Sequence, residues 1–315
     1  MLTPLFAVFG IMLLGSLVQK LKLLPANTDI VLNQYVYYIA FPAIMFIALA
    51  QTPVADILHW GFIAGFALAL AITYGLCFAI SLGFNRGQQA LASIRALNAT
   101  FGNTAFIGIP LLAILYPQQQ SALAIAAIAS LLSVLMFAIA LVSVELATHQ
   151  AQQQHSSIII TMAIVKNPIV IGSLMGVLFS VMEIPLFDGL AMMIRQLGNT
   201  SSPCALFAIG MALAKALRLD GATDVFKPTA SIEIISINLF KLIIQPLIAY
   251  GLLLWFGVNH QLLTMGVILA ALPTAASVYL LAHKYQINAV HSAQGILFGT
   301  LVTFISLPMI KFLLS

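Results

Sequence analysis

Ten long apolar runs make up almost all of this chain, and they leave it few ways to fold. They lie near 4–20, 30–50, 58–84, 88–116, 121–147, 157–181, 187–216, 229–256, 260–283 and 288–313. A helix needs about 20 apolar residues to cross a hydrocarbon core roughly 30 Å thick, and the runs approach or exceed that length. Lipid offers no partners for backbone amides, so only helices and closed barrels span it. Barrel strands would alternate apolar and polar residues over about ten positions. These runs are instead continuous and rich in Leu, Ala and Ile. Charged residues make up 6% of the 315, and mean hydropathy is +1.10, where a soluble domain carries about 25% charge. The sequence therefore predicts an all-α polytopic membrane protein in contact with the lipid bilayer.

The opening MLTPLFAVFGIMLLGSLV lacks a basic start and a small-residue cleavage pattern, so it reads as a first span and not as a signal peptide. The longest polar stretch, THQAQQQHSS at 148–157, falls near mid-chain and divides the spans five and five. An odd number of spans per half makes the second half enter the membrane from the opposite side. Any repeat is then inverted, with one unit at 1–147, a short cytoplasmic linker at 148–156 and a second unit at 157–315. Matching prolines support the duplication: Pro42 and Pro203 are 161 apart, Pro110 and Pro273 are 163 apart. Lys20, Lys22, Arg86, Lys215, Arg218, Lys227 and Lys284 fall on one side of this arrangement, and Lys311 on the other. Basic loops face the cytoplasm, which places both termini outside the cell membrane.

The fourth and ninth spans carry helix-breaking residues where lipid makes them most costly. Residues 88–116 would form a helix of about 43 Å if unbroken, yet they contain GNTAFIGIPLL at 102–112. Gly102, Gly108 and Pro110 predict a helix to about 102, an extended segment, and a half-helix opening at Pro110. ALPTAASVYLLA at 271–282 repeats the device, with Pro273 opening a second half-helix. Unwound backbone at this depth lines a cavity or lies buried in protein, and paired discontinuous helices in inverted repeats are a transporter architecture. Amino ends of half-helices favour an anion. Asn103, Thr104, Thr274 and Ser277 add neutral hydrogen-bonding groups there. A plain packing kink is the competing reading of each proline.

NTAFIGIPLL (103–112), ALPTAASVYLLAHKY (271–285), LGNTSSPCALFAIGMALA (197–214) and KLIIQPL (241–247), in this order and spacing, resemble the auxin efflux carrier family. That family includes plant auxin exporters and bacterial malonate-type carriers. The resemblance spans nearly the whole chain and implies ten helices in two inverted five-helix repeats, with broken helices 4 and 9 crossing, as in bile-acid symporters and sodium/proton antiporters. It implies a scaffold from helices 1, 2, 6 and 7 and a moving core from helices 3–5 and 8–10. It also implies a carboxylate bound at the crossover, with Asn103 as a ligand. The expected function is a secondary carrier of a small organic carboxylate, malonate- or malate-like, working by alternating access. Alternatives are a monocarboxylate or auxin-like acid carrier, or an anion channel.

Within the spans, Lys241 either stabilises an anionic substrate or neutralises an acid from another helix. Glu233, eight positions earlier, lies about 80° away around an ideal helix. It is the carboxylate set deepest in a span, hence a candidate for proton coupling, as is His291 with its near-neutral reference pKa. Sodium is the other coupling ion left open. Arg95 and Lys166 lie toward helix ends, where snorkelling explains them. Arg195 faces substrate, lipid headgroups or a structural partner. Cys77 and Cys204 suggest neither a disulfide nor a metal site. Cofactors are not expected, nor is a nucleic-acid partner, because the basic residues are scattered through a chain of net charge +4. A homodimer is left open. Without HExxH, GxGD or GxSG, an intramembrane enzyme is disfavoured.

Overall fold

The computed structural model describes residues 2–51, 59–84, 87–117, 119–148, 168–219 and 228–314. The expectations attached to Arg86, Lys166 and Lys227, to most of the 148–156 linker, to the start of the sixth run and to the Arg218 side chain lie outside what is described.

The described chain is helical: α1 (Leu2–Leu21), α2 (Thr28–Ala50), α3 (Trp60–Phe84), α4 (Gln89–Thr100), α5 (Thr104–Leu115) and α6 (Gln120–Ala147). There follow α7 (Pro168–Val181), α8 (Asp188–Asn199), α9 (Ser201–Leu219), α10 (228–255), α11 (His260–Ala270), α12 (Ala276–Lys284) and α13 (Ala289–Leu313). Five of these, α2, α3, α6, α10 and α13, are long and apolar enough to cross a membrane. Large apolar side chains stand outward along them, among them Phe84, Ile305 and Trp255. Such exposure would be ruinous in water and is natural against lipid acyl chains. This is a multi-pass membrane protein.

The fourth and ninth runs do not form single helices. Each divides in two, as α4 with α5 and as α11 with α12. The seventh run divides as well, between α8 and α9, three residues before Pro203. There the Thr200 hydroxyl donates to the Leu197 carbonyl at 2.6 Å and accepts from Tyr35 at 2.8 Å. The Leu197 carbonyl at this break thus takes both the Thr200 amide, at 3.2 Å, and the Thr200 hydroxyl.

A recurring local device explains how other prolines are tolerated. Five-residue π-helical turns occupy Val36–Ala40, Thr104–Gly108 and Phe240–Ile244. Each ends two residues before a proline: Pro42, Pro110 and Pro246. A proline ring collides with the carbonyl four positions back and offers no amide hydrogen. Widening that turn by one residue moves the carbonyl clear, so the helix continues. Pro308, near the end of α13, has no such turn before it.

The described chain sorts into two compact units, each drawing on both halves of the sequence. The first comprises 1–59, 105–128 and 165–221. In it α1 crosses α9 so closely that a Cβ on Gly210 would lie 1.9 Å from the Met12 carbonyl oxygen, and one on Gly15 2.2 Å from that of Phe207. The Ser16 hydroxyl donates to the Gly210 carbonyl at 2.7 Å across this crossing. Small residues let backbones meet where lipid supplies no hydrophobic drive between helices. α7 meets α2 the same way, through Gly172 over Pro42 and Gly176 over Phe46. Lys215 and Asp29 form an ion pair in this unit.

The second unit comprises 60–104, 129–164 and 222–315. α3 packs on α4 and α10, and α13 on α10 and α12. Its core joins Ile94 and Leu97 of α4, Ala140 and Val144 of α6, and Val278, Leu281 and Ala282 of α12. Both unwound segments around Gly102 and Thr274 belong to this unit.

Candidate functional site

α4 stops at Thr100, and Phe101 takes an extended conformation (φ −80°, ψ 91°). α11 stops at Ala270, and the chain stays non-helical until α12 opens at Ala276. The two unwound stretches pair with each other as a short antiparallel bridge, Gly102 opposite Thr274. The Asn103 amide donates to the Pro273 carbonyl at 2.8 Å, and the Ala275 amide to the Phe101 carbonyl at 3.0 Å. Each break therefore supplies partners that the other lost, which backbone inside a membrane requires. A Cβ on Gly102 would stand 3.3 Å from Lys241 Nζ, so the glycine leaves room for that amine beside the bridge.

Two half-helix openings differ from the sequence expectation. The helix beyond the first break starts at Thr104, as a π turn, six residues before Pro110. The helix beyond the second starts at Ala276, three residues after Pro273. The physical reasons differ. Pro110 is carried inside a continuous helix by its widened turn, and Pro273 is held in the bridge, where its carbonyl serves Asn103.

Lys241 is fully buried. It lies in the π turn of α10, and its ammonium donates to the Ala270 carbonyl and to Gln245 Oε1, each at 2.6 Å. Gln245 Nε2 in turn donates to the Thr100 carbonyl at 3.0 Å. Ala270 and Thr100 are the last residues of α11 and α4, so this one side-chain pair covers the terminal carbonyl of both interrupted helices. The acid partner offered as one reading of Lys241 is not found among the described residues. Gln245 was missed from sequence, although its place four residues after Lys241 puts both on one helical face.

Thr274 donates its hydroxyl to the Asn98 carbonyl at 2.6 Å, fastening the bridge to the last turn of α4. Asn98 Nδ2 donates to the Ser292 hydroxyl on α13 at 2.9 Å. Thr274→Val orphans that carbonyl and is expected to lower stability by about 1–2 kcal/mol, read as a lower melting temperature in detergent. Thr104, buried, sets its hydroxyl toward the Gly102 carbonyl at 3.4 Å. Ser277 is half-buried in the first turn of α12, and its hydroxyl makes no hydrogen bond with another described residue. Gly102, Asn103, Thr104, Pro273, Thr274 and Lys241 thus gather around one crossing. Pro110 belongs to the other compact unit.

Glu233 is engaged elsewhere. Its carboxylate takes two hydrogen bonds from Arg95, at 2.7 and 2.8 Å, and a third from Asn288 Nδ2 at 2.6 Å. Arg95 therefore does not snorkel, since a bidentate carboxylate holds it inside the protein. His291 lies within electrostatic reach of the same carboxylate. Arg195, on α8, donates to Gln51 Oε1 at 2.8 Å in an exposed position.

The sequence profile of the family described as "Membrane transport protein" matches residues 1–311. A protein of Rhizobium meliloti (strain 1021), named "Putative malonate transporter", is 28% identical over 303 residues, covering 94% of this chain and 90% of that one. The long apolar helices, the two interrupted ones and this whole-length match agree. The chain belongs to the membrane transport protein family, that of the auxin efflux carriers, and is a transporter, not an enzyme.

Proposed function

We propose that the protein is a secondary carrier that moves a small organic carboxylate, malonate- or malate-like, across the cell membrane by alternating access. The observation that carries this reading is the bridge between 101–103 and 273–275, where two interrupted helices meet beside a buried lysine. Transporters bind substrate at such unwound crossings, where amide groups and half-helix ends replace water. Asn103 and Ser277 contribute neutral hydrogen bonds to the anion, and the amino-terminal turn of α12 adds backbone donors. The name of the Rhizobium relative favours a dicarboxylate.

In this reading the ten runs form two inverted five-helix repeats with both termini outside, and the mechanism is elevator-like. The scaffold consists of helices 1, 2, 6 and 7 and the transport core of helices 3–5 and 8–10. Supporting it, one compact unit holds α1, α2, α7, α8 and α9, and the other holds α3, α4 and α10–α13 with most of α6. α5 is the exception, since it groups with the first unit.

The test is counterflow of labelled malonate in proteoliposomes, with malate and monocarboxylates as competitors. Saturable counterflow is the expected result. Movement of none of these acids, or conductance far above carrier turnover, overturns the reading. Asn103→Ala is expected to weaken substrate binding about 10- to 100-fold, the worth of a hydrogen bond to a charged group. The variant keeps the bridge's own bond at this position, which the main-chain amide of Asn103 donates to the Pro273 carbonyl. Unchanged affinity would remove Asn103 from the site.

A further inference from the structure

Beyond the choice of substrate lies the question of what drives the carrier, and the crossing bears on it. α4 and α11 both end at the bridge, at Thr100 and Ala270. A helix carboxyl end carries roughly half a negative charge, so two ends meeting there sum to about one. A protonated Lys241 supplies one positive charge at that point. It touches the Ala270 carbonyl directly and the Thr100 carbonyl through Gln245. An unbalanced ammonium would be costly to bury. Lys241 has no carboxylate partner among the described residues, and the helix ends are its counter-charge.

Unwound carbonyls and half-helix carboxyl ends are the groups with which transporters of this architecture hold a coupling sodium. Here those groups already bind an ammonium. We propose that Lys241 is a covalently tethered cation standing where a coupling sodium would bind, so that carboxylate transport draws on no sodium gradient. The proposal rests on the carrier reading above and deepens it. Other buried acceptors lie in the same unit, two of them amide oxygens that share a neighbour in α13. Asn98 Oδ1 and Asn238 Oδ1 have no donor among the described residues, and their amides anchor to Ser292 and Gly295, one turn apart on α13. They are where a sodium would be sought if Lys241 did not fill that role.

The decisive measurement needs no substrate. Melting of the purified protein in detergent is compared in sodium, potassium and choline chloride at equal ionic strength. The expected difference is under about 1 °C, since an ion that binds the folded state stabilises it in proportion to its occupancy. A sodium-specific rise of several degrees overturns the proposal. Counterflow of labelled malonate should proceed within about twofold of the same rate with or without sodium, and a sodium requirement likewise overturns it. If malonate moves under neither condition, the carrier reading is at fault and the melting comparison still decides the role of Lys241. Lys241→Ala vacates the position while leaving both carbonyls, so sodium but not potassium should stabilise that variant. A folded Lys241→Ala protein indifferent to sodium counts against the tethered cation. If that variant does not fold, the wild-type comparison decides alone.

Discussion

Arg95→Ala is expected to lower the melting temperature of the purified protein by roughly 6–12 °C, corresponding to about 3 kcal/mol. The Arg95 and Glu233 side chains keep only 19% and 17% of their surface exposed, and two hydrogen bonds join them. Removing the guanidinium leaves a carboxylate with Asn288 as its remaining donor among these three residues. The cost comes from the stranded charge more than from the lost attraction, because a buried pair gains little over a well-packed apolar one. The double variant Arg95→Met with Glu233→Met should therefore recover most of the loss. If Arg95→Ala melts with the wild type, the pair is inert. A double variant no better than the single would show that the helices need the hydrogen bonds themselves. The same experiment bears on Glu233 as a proton site. A carboxylate needed for coupling must be present for transport, whereas a purely structural one is dispensable once Arg95 is replaced with it.

Gly210→Ala is the second large effect. The added methyl group would sit 1.9 Å from the Met12 carbonyl oxygen, and the obstacle is backbone, which cannot rotate away. α1 and α9 must separate to admit it, which breaks the Ser16 hydrogen bond to the Gly210 carbonyl. Overpacking in a tight site costs about 1–3 kcal/mol for one carbon and more where backbone must move. Gly210→Ala should melt several degrees low, and Gly210→Leu should give no folded protein. Gly251→Ala is the control, because nothing lies within 4 Å of its Cβ position. Gly251 lies within α10, so the substitution should be neutral or slightly stabilising. Size-exclusion profiles and melting curves of the three variants test this. Equal behaviour of Gly210→Ala and Gly251→Ala would mean that α1 and α9 do not meet closely in the folded protein.

Much of the fold was legible because a membrane reduces the problem to one dimension. Apolar length names a helix, and glycine with proline names a break. The positions of both breaks followed from Gly102 and Pro273. Their pairing did not, because the partners lie far apart in sequence and bond through main-chain atoms that every residue possesses. The acid partner offered as one reading of Lys241 is not found among the described residues, for the same reason. A search for its partner among acids finds candidates by residue type, but its partners are the Ala270 carbonyl at a helix end, which carries no letter, and the neutral side chain of Gln245. The Arg95–Glu233 pair had visible letters, yet 138 residues separate them and nothing local links the two. The π turns show how a correct rule can be applied too simply. Pro110 does disturb its helix, but the strain is absorbed upstream over Thr104–Gly108, so the half-helix begins there.

The bridge between the two breaks is made from backbone alone, with Gly102 the one position where a side chain would crowd a neighbour closely. Beyond Thr274, Lys241 and Gln245, which fasten it, such a joint asks little of the letters around it. Over evolutionary time the side chains flanking it can drift, one cargo giving way to another, without the joint having to be reinvented. Relatives that share this crossing need not share a substrate, and substitutions at Asn103 or Ser277 are where their histories would first diverge.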